Sequence, residues 1–127
     1  MRVSVIQVTE MLPAVAQGAI GVEARLGDAY VARLLHPLNH APTEYCVRAE
    51  RAFLAALDGS CRTPLAALAQ IMPGGKISLR AQIIRPDGSQ MFEAVREGLL
   101  ADAARMGFDA GMELRARGGD DFFAALQ

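Results

Sequence analysis

The alternation of apolar and polar positions between residues 65 and 96 predicts a small β-sheet. Three strand-like runs, 65–72, 76–85 and 90–96, are separated by the turn sequences Pro73-Gly74-Gly75 and Pro86-Asp87-Gly88-Ser89. In the second run the apolar residues occupy every other position: Ile77, Leu79, Ala81 and Ile83. A period of two places these side chains on one face of a sheet, and short turns of this composition join antiparallel neighbours. The pattern therefore predicts a three-stranded antiparallel sheet that is wet on one face.

Helical periods flank the strands on both sides. Before them, Phe53, Leu54 and Leu57 recur at three- and four-residue spacing, and Thr43 is predicted to cap the start of this helix. The same helix is expected to stop at Asp58-Gly59, because glycine enters the left-handed conformation of a helix end without steric cost. After Gly98 a second stripe appears, made of Leu99, Ala103, Met106, Ala110 and Leu114. The predicted fold class is therefore α+β, with helices packed on one face of the sheet.

Glycines and aromatic residues refine the second helix. Gly107 and Gly111 form a stripe of small residues beside the apolar one, which predicts a close packing seam between helices. Gly118-Gly119 is expected to stop the helix. A final short turn then carries three large apolar residues predicted to cover the sheet: Phe122, Phe123 and Leu126.

The first forty residues show weaker patterns. Residues 1–9 resemble a strand, residues 12–25 a turn and a strand followed by the start of a helix, and residues 28–35 a helix that Pro37 ends. The sequence Asn39-His40-Ala41-Pro42 predicts a linker. We therefore expect a domain boundary near residue 40, which divides the chain into residues 1–40 and 41–127.

Composition narrows the class of protein. The chain is 52% hydrophobic and 21% charged, with a net charge of −1, which argues against a nucleic-acid-binding surface. No uninterrupted apolar run reaches the ~20 residues that span a bilayer. Two cysteines do not form a disulfide framework, so a reduced, cytoplasmic compartment is expected. His36 and His40 have a metal-binding spacing, but Pro37 interrupts the helix between them and no third ligand is evident, so no metal site is predicted.

Cys61 is the residue with the most chemical potential, and its chemistry alone leaves two readings open. A free cysteine usually behaves as a small buried hydrophobe. A cysteine on a turn beside cationic side chains, here Arg62, can instead form a reactive thiolate. Cys46, by contrast, aligns with Phe53 and Leu57 on one helical face and is predicted to lie in the core.

The residues around Cys61 form an ordered string that resembles a known family. They are Glu50, Arg51, Phe53, Leu57, Gly59, Ser60, Cys61, Thr63, Pro64, Leu65 and Ala66. This string resembles the porphobilinogen deaminases, also called hydroxymethylbilane synthases, around the cysteine that carries their dipyrromethane cofactor. Ser60 replaces a more usual second glycine, and Asp58 stands where glutamate is common. The resemblance extends from about residue 12 to the end of the chain, and Ala16 replaces a usual glycine there.

The resemblance implies a transferase of tetrapyrrole (haem) biosynthesis, which condenses four porphobilinogen molecules into hydroxymethylbilane with release of ammonia. It implies that Cys61 carries the dipyrromethane primer through a thioether, and that Gln17 and Gly18 lie near the bound pyrrole chain. Residues 41–127 would be the cofactor-carrying carboxy-terminal domain, and residues 1–40 a remnant of the amino-terminal cleft domains.

The resemblance also implies what this chain lacks. The catalytic aspartate and most cofactor-binding arginines of the family belong to the amino-terminal domains, so no catalytic residue is assigned here and the chain alone is expected to be inactive. The expected partners are porphobilinogen, the growing polypyrrole chain and a separate amino-terminal half of the enzyme. The alternative is a non-catalytic remnant or binding module that keeps the fold without synthase activity.

Overall fold

The fold consists of one antiparallel sheet covered on one face by helices. The computed structural model describes residues 3–57 and 64–124. In chain order the elements are helix α1 (Ala29–Leu35), a 3-10 turn (His36–Leu38), helix α2 (Ala41–Ala56), strand β1 (Leu65–Met72), strand β2 (Lys76–Ile84), strand β3 (Met91–Leu99), a second 3-10 turn (Leu100–Asp102) and helix α3 (Ala103–Ala124). This arrangement confirms the predicted α+β class.

The sheet has the order β1-β2-β3, with both neighbouring pairs antiparallel. Each hairpin is closed by a backbone hydrogen bond: Gly75 N–H donates to the Met72 carbonyl at 3.2 Å, and Arg85 N–H to the Gln90 carbonyl at 2.8 Å. Gly75 has a φ of +73°, a conformation that residues with a Cβ rarely adopt. The two turn sequences therefore join antiparallel neighbours, as predicted.

The core lies between the sheet and helices α2 and α3. The alternate residues predicted on the apolar face of β2 are all fully buried: Ile77, Leu79, Ala81 and Ile83. Ala67, Ala81 and Ala94 lie side by side across the three strands, and all are buried. Because alanine side chains are small, larger side chains from the helices, such as Phe53, fill the space above the sheet.

Helices α2 and α3 cross at the predicted glycine seam. A Cβ placed on Gly107 would lie 1.9 Å from the carbonyl oxygen of Ala49, and one on Gly111 would lie 2.5 Å from the Cβ of Ala56. No side chain fits at either position. The small-residue stripe is therefore a packing seam, as the sequence indicated.

The carboxy-terminal aromatics cover the core after a break in α3. Gly119 has φ 70° and ψ 175°, outside the helical range, so the predicted stop appears as a kink. Phe122 is fully buried, with its ring centroid 5.9 Å from that of Phe92, and Phe123 packs at the margin of the core. The prediction is confirmed for these two residues, whereas Leu126 lies outside the described part of the chain.

Two element boundaries differ from the predictions. Leu99, predicted on the helical stripe, is the last residue of β3 and is 61% exposed, because the hairpin pairs it with Lys76. The cap of α2 was also predicted wrongly. The helix begins at Ala41 with His40 as its N-cap, and Pro42 is tolerated there because the first turn needs no backbone donor.

The segment before α1 contains no strand within the described residues. The strand predicted over residues 1–9 is absent from residue 3 onwards, and residues 12–25 contain turns rather than a strand and a helix start. A strand needs a hydrogen-bonded neighbour, and residues 3–9 have none in the sheet. Helix α1 is confirmed; the Asp28 carboxylate accepts a hydrogen bond from Val31 N–H at 3.0 Å and caps it.

Candidate functional site

A tight turn at residues 14–19 carries two predicted site residues, Gln17 and Gly18. Gln17 N–H donates to the Ala14 carbonyl, and the Gln17 side-chain oxygen accepts from Ala14 N–H at 3.0 Å. Ala16 and Gly18 both have left-handed backbone conformations, with φ of 57° and 84°. The side chain of Gln17 therefore closes its own turn, while Gly18 supplies a conformation that a larger residue adopts only with strain.

Glu50 attaches this turn to the rest of the domain. One carboxylate oxygen accepts a hydrogen bond from Ala16 N–H at 2.6 Å, and the other accepts from Ala69 N–H in β1 at 2.8 Å. The residue is only 6% exposed. Burial raises the pKa of the Glu50 carboxyl, although the hydrogen bonds from Ala69 and Ala16 oppose that shift.

The sequence analysis missed the role of Glu50, although a signal was present. Glu50 lies four residues after Cys46 and three before Phe53, so it shares the apolar face of α2. A carboxylate on a buried helical face needs polar partners inside the protein. That position could have marked it as a residue with an internal binding role.

The outer edge of β1 donates hydrogen bonds to the segment before the turn and to Glu50. Ala67 N–H donates to the Pro13 carbonyl at 3.2 Å, and the next outward-facing amide, that of Ala69, donates to Glu50. Beyond it, Cys46 is half-buried against the core. Burial raises the pKa of the Cys46 thiol, and the nearby Glu50 carboxylate adds to that shift. Cys46 is therefore a poorer nucleophile than an exposed cysteine, in line with its predicted core position.

Two cavities flank the turn. One of about 340 Å³ is bordered by Gln17, Gly18, Cys46 and Ala69. The other, of about 550 Å³, lies between Gly18, His40 and Arg51. Gly18 borders both, and the two cavities also share Thr43 and Val47 of α2, so they adjoin along one side of the turn.

Cys61 and the predicted helix stop at Gly59 lie in residues 58–63, outside the described residues. The flanking residues are placed: Leu57 is the C-cap of α2 and is buried, and the Pro64 carbonyl accepts from Ile84 N–H at 3.0 Å. The structure thus brings Gln17 and Gly18 against α2 and β1, the two elements that the Cys61 segment connects. The role of Cys61 itself stays a prediction.

The described part of the chain contains neither a metal-binding cluster nor a membrane-spanning helix. Over residues 3–57 and 64–124, no three histidine, cysteine or acidic side chains cluster in a way that could hold a metal ion. The His40 ring nitrogen Nδ1 instead lies 2.8 Å from the Thr43 hydroxyl. None of the helices in this part of the chain has the length and apolar character needed to cross a bilayer.

The sheet with one helical layer defines an open-faced α+β domain. Comparison with known families identifies it further: residues 44–116 match the model described as "Porphobilinogen deaminase, C-terminal domain". The chain belongs to this family, and the resemblance seen in the sequence is confirmed.

Curated relatives agree with this assignment. A porphobilinogen deaminase of Paracoccus denitrificans is 54% identical over 114 residues, which cover 90% of this chain and 36% of the relative. One from Nitrobacter hamburgensis is 46% identical, covering 94% of this chain and 37% of the relative. A rice protein (Oryza sativa subsp. japonica) named "Porphobilinogen deaminase, chloroplastic" is 48% identical, with 98% and 35% covered. The chain therefore spans about a third of the length of these relatives.

Proposed function

We propose that this chain acts as the cofactor-carrying part of a hydroxymethylbilane synthase, which joins four porphobilinogen molecules with release of ammonia. The observation that carries the proposal is the family match over residues 44–116, together with the string of residues around Cys61, which departs from the family pattern only at Asp58 and Ser60. The relatives' name supports porphobilinogen as the substrate. A dipyrromethane linked to Cys61 is the proposed cofactor.

The chemistry of Cys61 suits this role. Its sulfur would form a bond to the exocyclic methylene carbon of porphobilinogen, while that carbon loses its bond to nitrogen. The nitrogen leaves as ammonia together with the thiol proton, so atoms and charge balance. When bound, the dipyrromethane supplies the primer to which further pyrroles are joined. Cys61 would anchor that primer without taking part in each turnover.

The described residues offer apolar contacts for the rings of a pyrrole-bearing cofactor, whereas its carboxylates would need cations from elsewhere. The cavity of about 340 Å³ beside Gln17 and Gly18 has largely apolar walls, including Leu68 and Ile71, which suit the faces of a pyrrole ring. Gly18 allows a ring to approach the backbone closely. Gln17 and Gly18 would therefore border the bound pyrrole chain.

The remaining sequence of the relatives would supply the rest of the active site. Within the described residues Glu50 is the only buried charged side chain, and both its oxygens already accept backbone hydrogen bonds. It is therefore not available as a catalytic acid. We propose that the amino-terminal part present in the relatives provides the acid, and that the 127-residue chain alone does not turn over porphobilinogen.

The exposed apolar residues before α2 mark the proposed surface for that amino-terminal part. Ile20 is 95% exposed. Four other apolar residues of this segment are more than half exposed: Val22, Leu26, Leu34 and Leu38. Apolar side chains exposed together usually mark an interface. Residues 1–40 would thus face the amino-terminal domains, apart from the segment of Pro13 and Ala16, which is bonded to β1 and α2, and residues 41–127 would form the stable unit. Limited proteolysis is expected to cut first between Gly27 and Pro42; initial cleavage inside residues 65–96 would contradict this boundary.

Intact-mass spectrometry tests the proposal. We would co-express this chain with the amino-terminal two-thirds of the Paracoccus denitrificans relative. The expected result is an added mass of one dipyrromethane on this chain, which is lost in Cys61→Ser and kept in Cys46→Ser. An unmodified chain in an active complex, or an adduct on Cys46, would refute the role of Cys61.

A turnover assay separates the synthase from a non-catalytic binding module, and an alkylation assay tests which cysteine is reactive. The chain alone should produce no hydroxymethylbilane from porphobilinogen, whereas the co-expressed pair should. A pair that assembles but neither carries the cofactor nor turns over would favour the binding module. Alkylation followed by peptide mapping should label Cys61 faster than Cys46, whose thiol is half-buried and has a raised pKa.

A further inference from the structure

Glu50 connects three parts of the chain that are distant in sequence. Its carboxylate oxygens accept from Ala16 N–H, 34 residues before it, and from Ala69 N–H, 19 residues after it. A partly exposed glutamate of the same helix, Glu44, instead pairs with Arg48 four residues on. Glu50 therefore recognises backbone amides rather than a side-chain cation.

Few charged or titratable side chains lie near Glu50. The turn 14–19 and strand β1 contain no titratable side chain, and on α2 the group that faces Glu50 is the Cys46 thiol. Among the described residues, none of the lysines or arginines forms an ion pair with Glu50. The two amides are thus the main groups that stabilise its charge.

Glu50 takes the place of a neighbouring strand where the chain leaves the sheet edge. The Pro13 carbonyl accepts a hydrogen bond from Ala67 N–H, as a residue of a neighbouring strand would. A strand continuing beyond Pro13 would offer its next carbonyl to Ala69, but the chain turns away there, and Glu50 accepts that hydrogen bond instead. The same carboxylate then accepts the amide of Ala16 inside the turn.

We propose that Glu50 is a positioning residue that fixes the turn 14–19, and with it Gln17 and Gly18, against β1. Without Glu50, the backbone hydrogen bond between Pro13 and Ala67 would be the one that still connects this segment to β1. The consequence for pyrrole binding rests on the proposed function, because Gln17 and Gly18 matter to the cofactor only if the chain serves a synthase. The positioning itself does not depend on that function.

Amide NMR of the 127-residue chain tests the proposal without porphobilinogen. As the pH is raised through the titration of Glu50, the amide protons of Ala16 and Ala69 should shift with one common midpoint, above the ordinary value for glutamate. A purely packing role for Glu50 would not give two distant amides the same titration. Separate midpoints, or no titration at either amide, would overturn the proposal.

A matched pair of variants completes the experiment. Glu50→Gln should abolish both titrations, move the Gln17 and Gly18 resonances and speed hydrogen exchange at Ala16 about tenfold, the effect of losing one ordinary hydrogen bond. Glu44→Gln should change none of these, because the Glu44 carboxylate bonds to Asn39 and Arg48 rather than to either amide. Equal effects of the two variants would refute the proposal, and the titration of the unmodified chain decides the question if Glu50→Gln does not fold. Because the cofactor assay uses mass alone, either idea can fail while the other stands.

Discussion

Replacing Gly107 with alanine probes the close crossing of α2 and α3. The added Cβ would lie 1.9 Å from the Ala49 carbonyl oxygen and 3.0 Å from the backbone nitrogen of Phe53. Cβ atoms essentially never come within 3.0 Å of such neighbours, so the helices must separate by about 1 Å. Both neighbours are backbone atoms of α2, and no side-chain rotation relieves the overlap.

The magnitude follows from two opposing effects. Overpacking a close-packed site costs about 1–3 kcal/mol, and contact with a rigid backbone favours the upper end. Alanine in place of a helix-interior glycine gains about 1 kcal/mol through helix propensity. We therefore expect Gly107→Ala to lower the free energy of unfolding by about 2 kcal/mol. That loss corresponds to a fall in Tm on the order of 10 °C for a domain of this size.

Urea and thermal unfolding followed by far-ultraviolet circular dichroism would measure this change. Ala116→Gly, at an exposed position of the same helix, is the control and should cost about 1 kcal/mol through propensity alone. A Gly107→Ala variant that unfolds at a higher urea concentration than the parent chain would refute the reasoning. It would mean that propensity outweighs packing and that the helices do not meet at this glycine.

Three further predictions use the same unfolding assay. Phe122→Ala, at a fully buried ring, should cost about 3–5 kcal/mol, and Phe108→Ala, at a half-exposed ring, less than about 1 kcal/mol; similar losses would contradict the described core. Because the pKa of Glu50 is raised in the folded chain, its contribution to stability is present below the ordinary glutamate pKa and declines as the pH rises through the folded value. Glu50→Gln should flatten that part of the profile, and an unchanged slope would count against the buried carboxyl. The pKa of Glu113 is lowered mainly by a hydrogen bond from Arg96 of β3, and next by one from Arg117 of α3. Its contribution is therefore present above the ordinary pKa and disappears as the pH falls through the lowered value, so Glu113→Gln should destabilise the chain at neutral pH but not in acid.

The parts of the fold that depend on local patterns were predictable from the sequence. The alternation in β2 fixed its buried face because a period of two leaves no freedom about which side chains share a face. The Pro-Gly-Gly turn fixed the first hairpin, since its glycines adopt left-handed conformations. The glycines of α3 predicted the crossing with α2, because the two helices can approach this closely only where α3 has no side chain.

The features that escaped prediction depend on contacts distant in sequence. Residues 3–9 have a strand-like composition, but no neighbour in the sheet pairs with them. Leu99 fits a helical stripe by spacing, yet the hairpin register draws it into β3. The partners of Glu50 become visible only in three dimensions, because neither amide lies on its own helix.

The candidate site was predictable to a similar extent. The resemblance pointed to Gln17 and Gly18, and it noted that Ala16 stands where glycine is usual. The left-handed φ of 57° at Ala16 gives that substitution a physical meaning, since a glycine would adopt it without strain. A resemblance names positions but not their hydrogen bonds, so the attachment of the turn through Glu50 came from the structure alone.

The way in which β1 is covered has a consequence for how the protein behaves when damaged. A bare strand edge invites the edge of another molecule, and this pairing starts aggregation. Here Pro13 and Glu50 occupy the outward amides of Ala67 and Ala69, so the segment before α1 shields the sheet as well as bordering the candidate site. A proteolytic cut that released the segment carrying Pro13 would expose the Ala67 donor on a strand with no charged residue, while the Ala69 amide would stay bonded to Glu50. Self-association would then accompany the loss of the site, so the solubility of the chain would report on the integrity of the turn.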